Sequence, residues 1–468
     1  MARNIFFRVG CILLSAFGSL LFSQGVDSPP IYPFYEVPNP LSGNNPVYHL
    51  IPRAVPLPGK SFHDLCFKTT ITRTTKTLGL RHEYSRFDPF NVNQSMIVLL
   101  DLPTGDWKIY KTKRKYYDQS GNFVRTLNNQ AEPRWDPKDP SLIWGLRDFS
   151  IIRINVKTGR VTVIKNFSKD QTIGPIIKAE PDLYRITTKD EGESSLDKRF
   201  WALCLQGSKD DYRLRYIFTW DLKLNKILGL HKLSSAEAQL IDWVGMSPLG
   251  KWVLIGGDAG EDQTWAGLNM VDKKFSSFHR LASATAHSDV GLDTQGNEII
   301  VMQNSRTDYI DFIPISLHAR PVDDVGDYKN NSVKPIVRLY YNSNSPIGLN
   351  SGVHISGNHG GYCVISTNTE PGVPEQNWLD RTITLVRLDR KKFRVFYLAK
   401  VYNTTGSYWE ETQATITNDG SKVVWASNWG QNVGKDKVFL VRLDMPPNWE
   451  KQFNFQKSDQ IFRAKSYN

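Results

Sequence analysis

At 468 residues the chain exceeds one ordinary hydrophobic core, and its 40% apolar and 12% aromatic content excludes a disordered or fibrous polymer. The net charge of +11 is spread along the chain, with Lys111-Thr112-Lys113-Arg114-Lys115 the nearest approach to a cluster, which excludes a basic nucleic-acid arm and suits an anionic glycan or cell surface. Four widely spaced cysteines exclude a disulfide framework and a zinc motif.

Arg3 and Arg8 precede an apolar run from Val9 to Phe22, and Ser23-Gln24-Gly25 follows it. This order predicts a signal peptide over 1–25 and an exported protein, secreted or periplasmic. The run has 14 residues, short of the span a membrane helix needs, and no later segment is a better candidate for a membrane span. Cleavage would remove Cys11. Of the remaining cysteines, Cys204 and Cys363 sit in apolar runs, which predicts buried free thiols.

Residues 26–60 carry Pro29, Pro30, Pro33, Pro38, Pro40, Pro52, Pro56 and Pro58, the composition of an extended leader. Residues 61–468 then read as one domain. Its first strand, around Thr69-Thr70-Ile71-Thr72-Arg73-Thr74-Thr75, stands alone and is suited to closing a ring by joining the last unit.

One pattern then recurs: a short strand, a Gly/Asp/Pro turn, and a second strand. Examples are Ile241-Asp242-Trp243-Val244-Gly245-Met246-Ser247-Pro248 before Trp252-Val253-Leu254-Ile255, and Gln413-Ala414-Thr415-Ile416-Thr417-Asn418-Asp419-Gly420 before Val423-Val424-Trp425-Ala426. Repeats at this spacing predict an all-β fold, a β-propeller of seven four-stranded blades near 80–112, 126–167, 172–232, 238–281, 284–342, 350–402 and 408–446. No helical periodicity of useful length is visible. Polar inserts at 187–199, 305–335 and 367–380 are candidates for loops that shape a site.

The starts of the innermost strands converge on the central channel of a propeller. Those positions hold His82, Tyr84, Arg86, Glu132, Arg134, Asp242, His287, Asp289, His354, His359, Glu411 and Gln413. Such a set has three chemical uses. His82 or Tyr84 can move a proton while Arg134 offsets a substrate carboxylate. His287, His354 and a Glu411 or Gln413 oxygen can bind a divalent metal (Mn, Zn or Ca). Or the whole set, with Arg86, Asp242, His359 and Glu411 touching the ligand, is a polar pocket without turnover. Gly-x-Ser-x-Gly, His-Glu-x-x-His and phosphate-loop motifs are all missing from the sequence.

The turns Ser247-Pro248-Leu249-Gly250-Lys251-Trp252 and Thr417-Asn418-Asp419-Gly420-Ser421-Lys422 resemble the Ser-Pro-Asp-Gly turn of TolB-like propellers. A narrower resemblance is to the oligogalacturonate lyases, propellers in which a His near a blade start and a Gln-x-x-His-x-His stretch hold a divalent metal beside the elimination. His287 can match the first ligand; Glu411 and Gln413 stand where the two His of that stretch fall, a departure from its pattern. Ulvan lyases, also propellers, use His and Tyr with an Arg at the uronate, for which His82, Tyr84 and Arg134 are chemically suited. The resemblance implies action on an anionic polysaccharide or oligosaccharide, and the chain is expected to be a monomer. The rival expectation is a propeller that only binds a glycan or a protein.

Overall fold

The structure, a computed structural model, describes residues 34–209, 212–258, 265–339, 353–368, 374–431, 434 and 436–454. The expected signal peptide over 1–25 and the first part of the leader lie outside them.

The repeated turn is built by one local device. In blade 4 the Gly250 N–H donates to the Ser247 carbonyl at 2.8 Å and the Ser247 N–H to the Trp252 carbonyl. In blade 7 Gly420 and Thr417 repeat both bonds, the latter with Lys422. Gly250 and Gly420 have φ of +70° and +67°, a region that costs glycine nothing, and the turn folds the next strand back antiparallel.

Five such units are separate four-stranded antiparallel sheets. Blade 2 runs Ala131–Trp135, Leu142–Arg147, Ser150–Asn155 and Val161–Asn166. Blade 3 runs Leu183–Thr187, Phe200–Gly207, Leu214–Asp221 and Lys226–Lys232. Blade 4 runs Ile241–Met246, Val253–Gly257, Leu268–Val271 and Phe278–Ala282; blade 5 Ser288–Leu292, Glu298–Asn304, Tyr309–Pro314 and Lys334–Arg338. Blade 6 runs Val353–Ser356, Tyr362–Thr367, Thr382–Arg387 and Arg394–Lys400.

The remaining strands form a nine-stranded sheet whose two halves meet at a single parallel pair, Phe439 with Leu80. One half is blade 1: Leu80–Arg81, Met96–Asp101, Asp106–Lys111 and Phe123–Leu127. The other is blade 7, in which Thr415–Ile416, Lys422–Ser427 and Phe439–Asp444 are joined by the N-terminal strands Thr70–Arg73 and Ser61–His63. Ile71 pairs with Leu443 and Thr72 with Arg442, so the two ends of the domain are stitched together by ladder hydrogen bonds. The leader also covers an edge: the Val37 N–H donates to the Val395 carbonyl and the Tyr397 N–H to the Tyr35 carbonyl along the outer strand of blade 6.

Apolar side chains fill the spaces between blades. Trp144 of blade 2 meets Trp201 of blade 3 at 5.8 Å, and Cys204 packs with Ile217, Val244 and Val253 between blades 3 and 4. Cys204 and Cys363 are free and buried. Two short helices, Ile173–Ala179 and Ser235–Leu240, are not foreshadowed by apolar periodicity. The second starts on a capping box of Ser234 and Glu237, a signal too local for a periodicity search. No helix among the described residues is long and apolar enough to cross a membrane.

Blade 1 departs from its sister blades. Its inner strand pairs Leu80 with Asp101 and Arg81 with Leu100, and then nothing until Phe90 meets Ile97. The inner chain thus spends residues 82 to 89 where its partner spends only Val98 and Leu99. The surplus chain leaves the sheet.

Ile71 is 1% exposed and Ile51 of the leader 47%. Ile71→Ala is expected to lower the unfolding free energy by about 2–5 kcal/mol, and Ile51→Ala by no more than about 0.5 kcal/mol. Urea unfolding of both variants checks this; small, equal losses would mean that the strand does not hold the ring shut.

Candidate active site in the central channel

The surplus residues of blade 1 cross to the other blades. His82 Nε2 bonds the Gln413 carbonyl of blade 7 at 2.6 Å. Glu83 accepts from Arg134 of blade 2 at 2.6 Å. The Tyr84 hydroxyl meets His287 Nδ1, beside the start of blade 5, at 3.1 Å, and its ring packs edge-on against His354 of blade 6. Arg86 reaches three blades: its Nη1 donates to the Glu191 carbonyl after the inner strand of blade 3, its Nη2 to Ser288 Oγ of blade 5, and its guanidinium lies 4.6 Å from the Trp243 ring of blade 4. One short segment therefore ties all seven blades at the axis.

A polar chain runs through this plug. Beyond the Tyr84–His287 bond, the His287 and His354 rings stand 4.5 Å apart, and His354 Nε2 bonds Glu411 Oε2 at 2.7 Å. Tyr408 stacks on Tyr84 at 6.2 Å and is 45% exposed, whereas Tyr84 is 6% exposed. Burial pushes the Tyr84 hydroxyl well above its usual value, with the Glu191 charge adding to it. Burial holds His287 down at about 3, helped by His354 and the Arg86 cation, so its imidazole is neutral. His82, wholly buried beside Arg81, is likewise held at about 3.

Each channel cation is compensated. Arg134 makes a two-pronged pair with Glu83, donates to the Asp190 carbonyl at 3.1 Å, and has its guanidinium 3.3 Å from the Phe87 ring. Arg86 pairs with Glu191 Oε2 at 3.1 Å. Arg81, fully buried, gives its protons to the carbonyls of His82 and Trp409 and to Gln413 Oε1. Glu132 is enclosed by the hydroxyls of Thr187 and Thr188 at 2.7 and 2.6 Å. Burial raises Glu83 to about 7 against the pull of Arg134, and Asp289 to about 8. Glu132 and Gln413 both have positive φ, +51° and +44°, and these bonds hold them there.

The residues expected to converge divide into two groups. Tyr84, Arg86, His287, His354, Glu411 and Gln413 form one connected set with His82 and Arg134 at its margins. Asp242 is exposed and makes no hydrogen bond or ion pair among the described residues. His359 lies beyond the far end of the blade 6 inner strand, in the turn after Ser356, bonding the Asn418 carbonyl and stacking on Tyr362. Arg81, Glu83, Glu191 and Glu193 also join the site, although they do not stand at the strand starts that the repeat pattern singles out. The first two flank His82, and the last two lie in the 187–199 insert; their charges beside the named positions were the available signal.

A metal centre needs three or four converging donors. The Nδ1 atoms of His82 and His354 are buried without a hydrogen-bond partner, but the carboxylate on His354, Glu411, is bonded to its Nε2. Gln413 Oε1 already accepts from the Arg81 cation, and no group of three His, Cys, Asp or Glu among the described residues can hold an ion. The donor set His287, His354 and Gln413 does not fit Mn, Zn or Ca.

No family model matches this chain, and no curated protein does. Solved structures do. An oligogalacturonate lyase in complex with manganese is similar over 84% of this chain and 97% of its own, at 9% identity and a TM-score of 0.54. An oligogalacturonate lyase from Vibrio parahaemolyticus is similar over 83% and 97%, at 9% identity and a TM-score of 0.53. TolB from Acinetobacter baumannii covers 68% of this chain and 63% of its own, at 15% identity and a TM-score of 0.32. At such identity the likeness to the two lyase structures establishes the fold alone, a β-propeller.

Asp289 supplies a test of the site's electrostatics. Its folded value, about 8, lies above the unfolded carboxylate value, so the folded state binds the extra proton between those limits. Stability from this group therefore falls as pH rises from about 4 to about 8, by at most about 1.4 kcal/mol per pH unit. Asp289→Asn removes that slope, and the variant should gain on the wild type as pH rises from about 5 to about 8, inside that window. Denaturant melts of both proteins decide it; parallel curves would mean that Asp289 titrates as an ordinary carboxylate.

Proposed function

We propose that the protein is an exported propeller that acts on a uronate-containing polysaccharide or oligosaccharide by β-elimination. The observation that carries this reading is the Tyr84–His287 bond beside the Arg86 guanidinium, inside the channel. Further support comes from the likeness to two oligogalacturonate lyase structures and from the surplus positive charge. The order of residues 1–25 supports export; residues 26–60 serve as the leader and 61–468 as the single propeller domain.

Elimination needs a base for the proton α to the carboxylate, an acid for the leaving oxygen, and a cation that stabilises the developing enolate. A neutral imidazole is a competent base, and a phenol held un-ionised is a competent acid. In the tautomer where His287 Nδ1–H donates to the Tyr84 oxygen, Nε2 accepts the carbon-bound proton. The carbon–carbon double bond forms, the glycosidic carbon–oxygen bond breaks, and the leaving oxygen takes the Tyr84 proton. The imidazolium then returns its Nδ1 proton to the phenolate, and proton exchange with water restores the tautomer. Arg86, whose Nη2 donates to Ser288 Oγ next to His287, is the cation beside this pair. His82 is tied to the Gln413 carbonyl in the interior and serves to hold the plug. No step runs through a metal, although one similar lyase was solved with manganese.

A second reading has its own observation. The channel residues pair with one another, Arg134 with Glu83, Arg86 with Glu191 and His354 with Glu411, as in a propeller whose axis is only cement and whose surface binds a glycan or protein.

The ultraviolet absorbance of unsaturated uronate ends, followed over a panel of acidic polysaccharides, separates the two readings. β-Elimination predicts a rising signal that a chelator leaves unchanged. Tyr84→Phe and His287→Gln should each slow it by about 10²- to 10⁴-fold. Polysaccharide binding with a flat absorbance would favour the binding module.

A further inference from the structure

The segment between the first two strands of blade 3 lies against both channel arginines. Glu191 gives its carbonyl to Arg86 Nη1 at 3.0 Å and its carboxylate to Arg86 Nη2 at 3.1 Å. Asp190 gives its carbonyl to Arg134 Nη2, and the Glu193 carboxylate stands 3.6 Å from Arg134 Nε. The arginines lie beneath and the acids outside: the side chains of Arg86 and Arg134 are 5% and 11% exposed, those of Glu191 and Glu193 31% and 27%. Neither arginine is saturated, because the Nε of each is buried without a hydrogen-bond partner.

The segment is firm at its ends and strained at its tip. Thr188 accepts from the Val244 N–H, and Glu193 from the Met246 N–H at 2.7 Å. Gly192 is pressed on blade 4 so closely that a Cβ there would lie 1.8 Å from the Val244 carbonyl oxygen. Between these anchors Lys189 and Asp190 have φ of +62° and +68°, a left-handed pair of non-glycine residues. Lys189 is held by its N–H to Thr187 Oγ1 and its Nζ to the Ile241 carbonyl, while Asp190 and Glu191 are held by the bonds to Arg134 and Arg86.

We propose that Glu191 and Glu193 are internal stand-ins for substrate carboxylates. Arg86 and Arg134 form two adjacent subsites for a ligand with at least two carboxylates, such as a chain of two or more uronate units. In the free protein the tip Lys189–Glu191 and the Glu193 side chain fill these subsites. Ligand displaces them, spends the idle Nε donors, and uncovers Tyr84, which the Glu191 charge now neighbours. The inference rests on the uronate reading for its ligand but not on elimination.

The test is calorimetric binding of galacturonate oligomers of one to four units, with a neutral oligosaccharide control, to the wild type and to Glu191→Gln, Glu193→Gln and the double variant. Removing the competing charge raises the competent fraction, so Glu191→Gln should bind the dimer and longer oligomers about tenfold more tightly. The monomer should bind weakly to every form. Hydrogen exchange at 189–191 should speed up when oligomer is added to the wild type. Thermal melts verify that each isosteric variant is folded. Unchanged or weakened binding in folded variants, slower exchange at the tip, or no oligomer binding to any form overturns the proposal. Tighter binding without unsaturated product would leave it standing and remove the elimination reading alone.

Discussion

The structure depends on how the propeller axis is filled. At or beside the inner strands stand Glu132, His287, Asp289, His354 and Gln413, polar groups that apolar side chains could not satisfy. Blade 1 fills the axis with its own chain: residues 82–89 leave the sheet between Arg81 and Phe90. Most polar groups on this segment are paired with other blades, since an unpaired buried charge or donor is costly; His82 Nδ1 and Arg86 Nε are the exceptions. His82, Glu83, Tyr84 and Arg86 find partners across the ring. The plug is therefore at once a staple for the blades and the place where titratable groups are forced close together.

Burial sets the chemistry of that cluster. Two imidazoles are held neutral and Tyr84 un-ionised, while Glu83 and Asp289 are lifted towards neutrality. These shifts share one cause, loss of water, which penalises whichever form is charged. The guanidiniums of Arg86 and Arg134 stay in the interior because carboxylates and aromatic faces replace their hydration. The same Arg81 proton that satisfies Gln413 Oε1 places a fixed cation where a metal would need its third ligand. A site with fixed guanidiniums and a neutral His–Tyr pair is suited to carboxylate recognition and proton transfer.

Much of the fold was readable in the order of residues, and particular elements show why. Ser247 to Gly250 and Thr417 to Gly420 carry their turn in the dihedral needs of one glycine, a wholly local matter. Thr70 to Arg73 reads as an orphan strand before the first repeat, and a ring has one place for it. Ser234 and Glu237 also carry a local signal, but over a helix too short to produce periodicity. The candidate site was readable only as an inventory. Tyr84, His287 and His354 stand out by their places at strand starts, and so do Asp242, which is exposed on the blade 4 inner strand, and His359, which bonds the Asn418 carbonyl in the turn beyond the blade 6 inner strand.

The amino-acid order by itself determined the all-β repeat, the turn that builds each hairpin and the strand that closes the ring, because each rests on backbone preferences and period-2 burial within a few residues. Tertiary structure alone decided that blade 1 gives up its inner strand to plug the axis, that Arg86 rather than Arg134 stands beside the Tyr84–His287 pair, and that Glu191 and Glu193 reach both arginines. These are contacts between segments some 50 to 200 residues apart. Their partners are chosen by distance and burial in the assembled ring, which no short window of sequence contains.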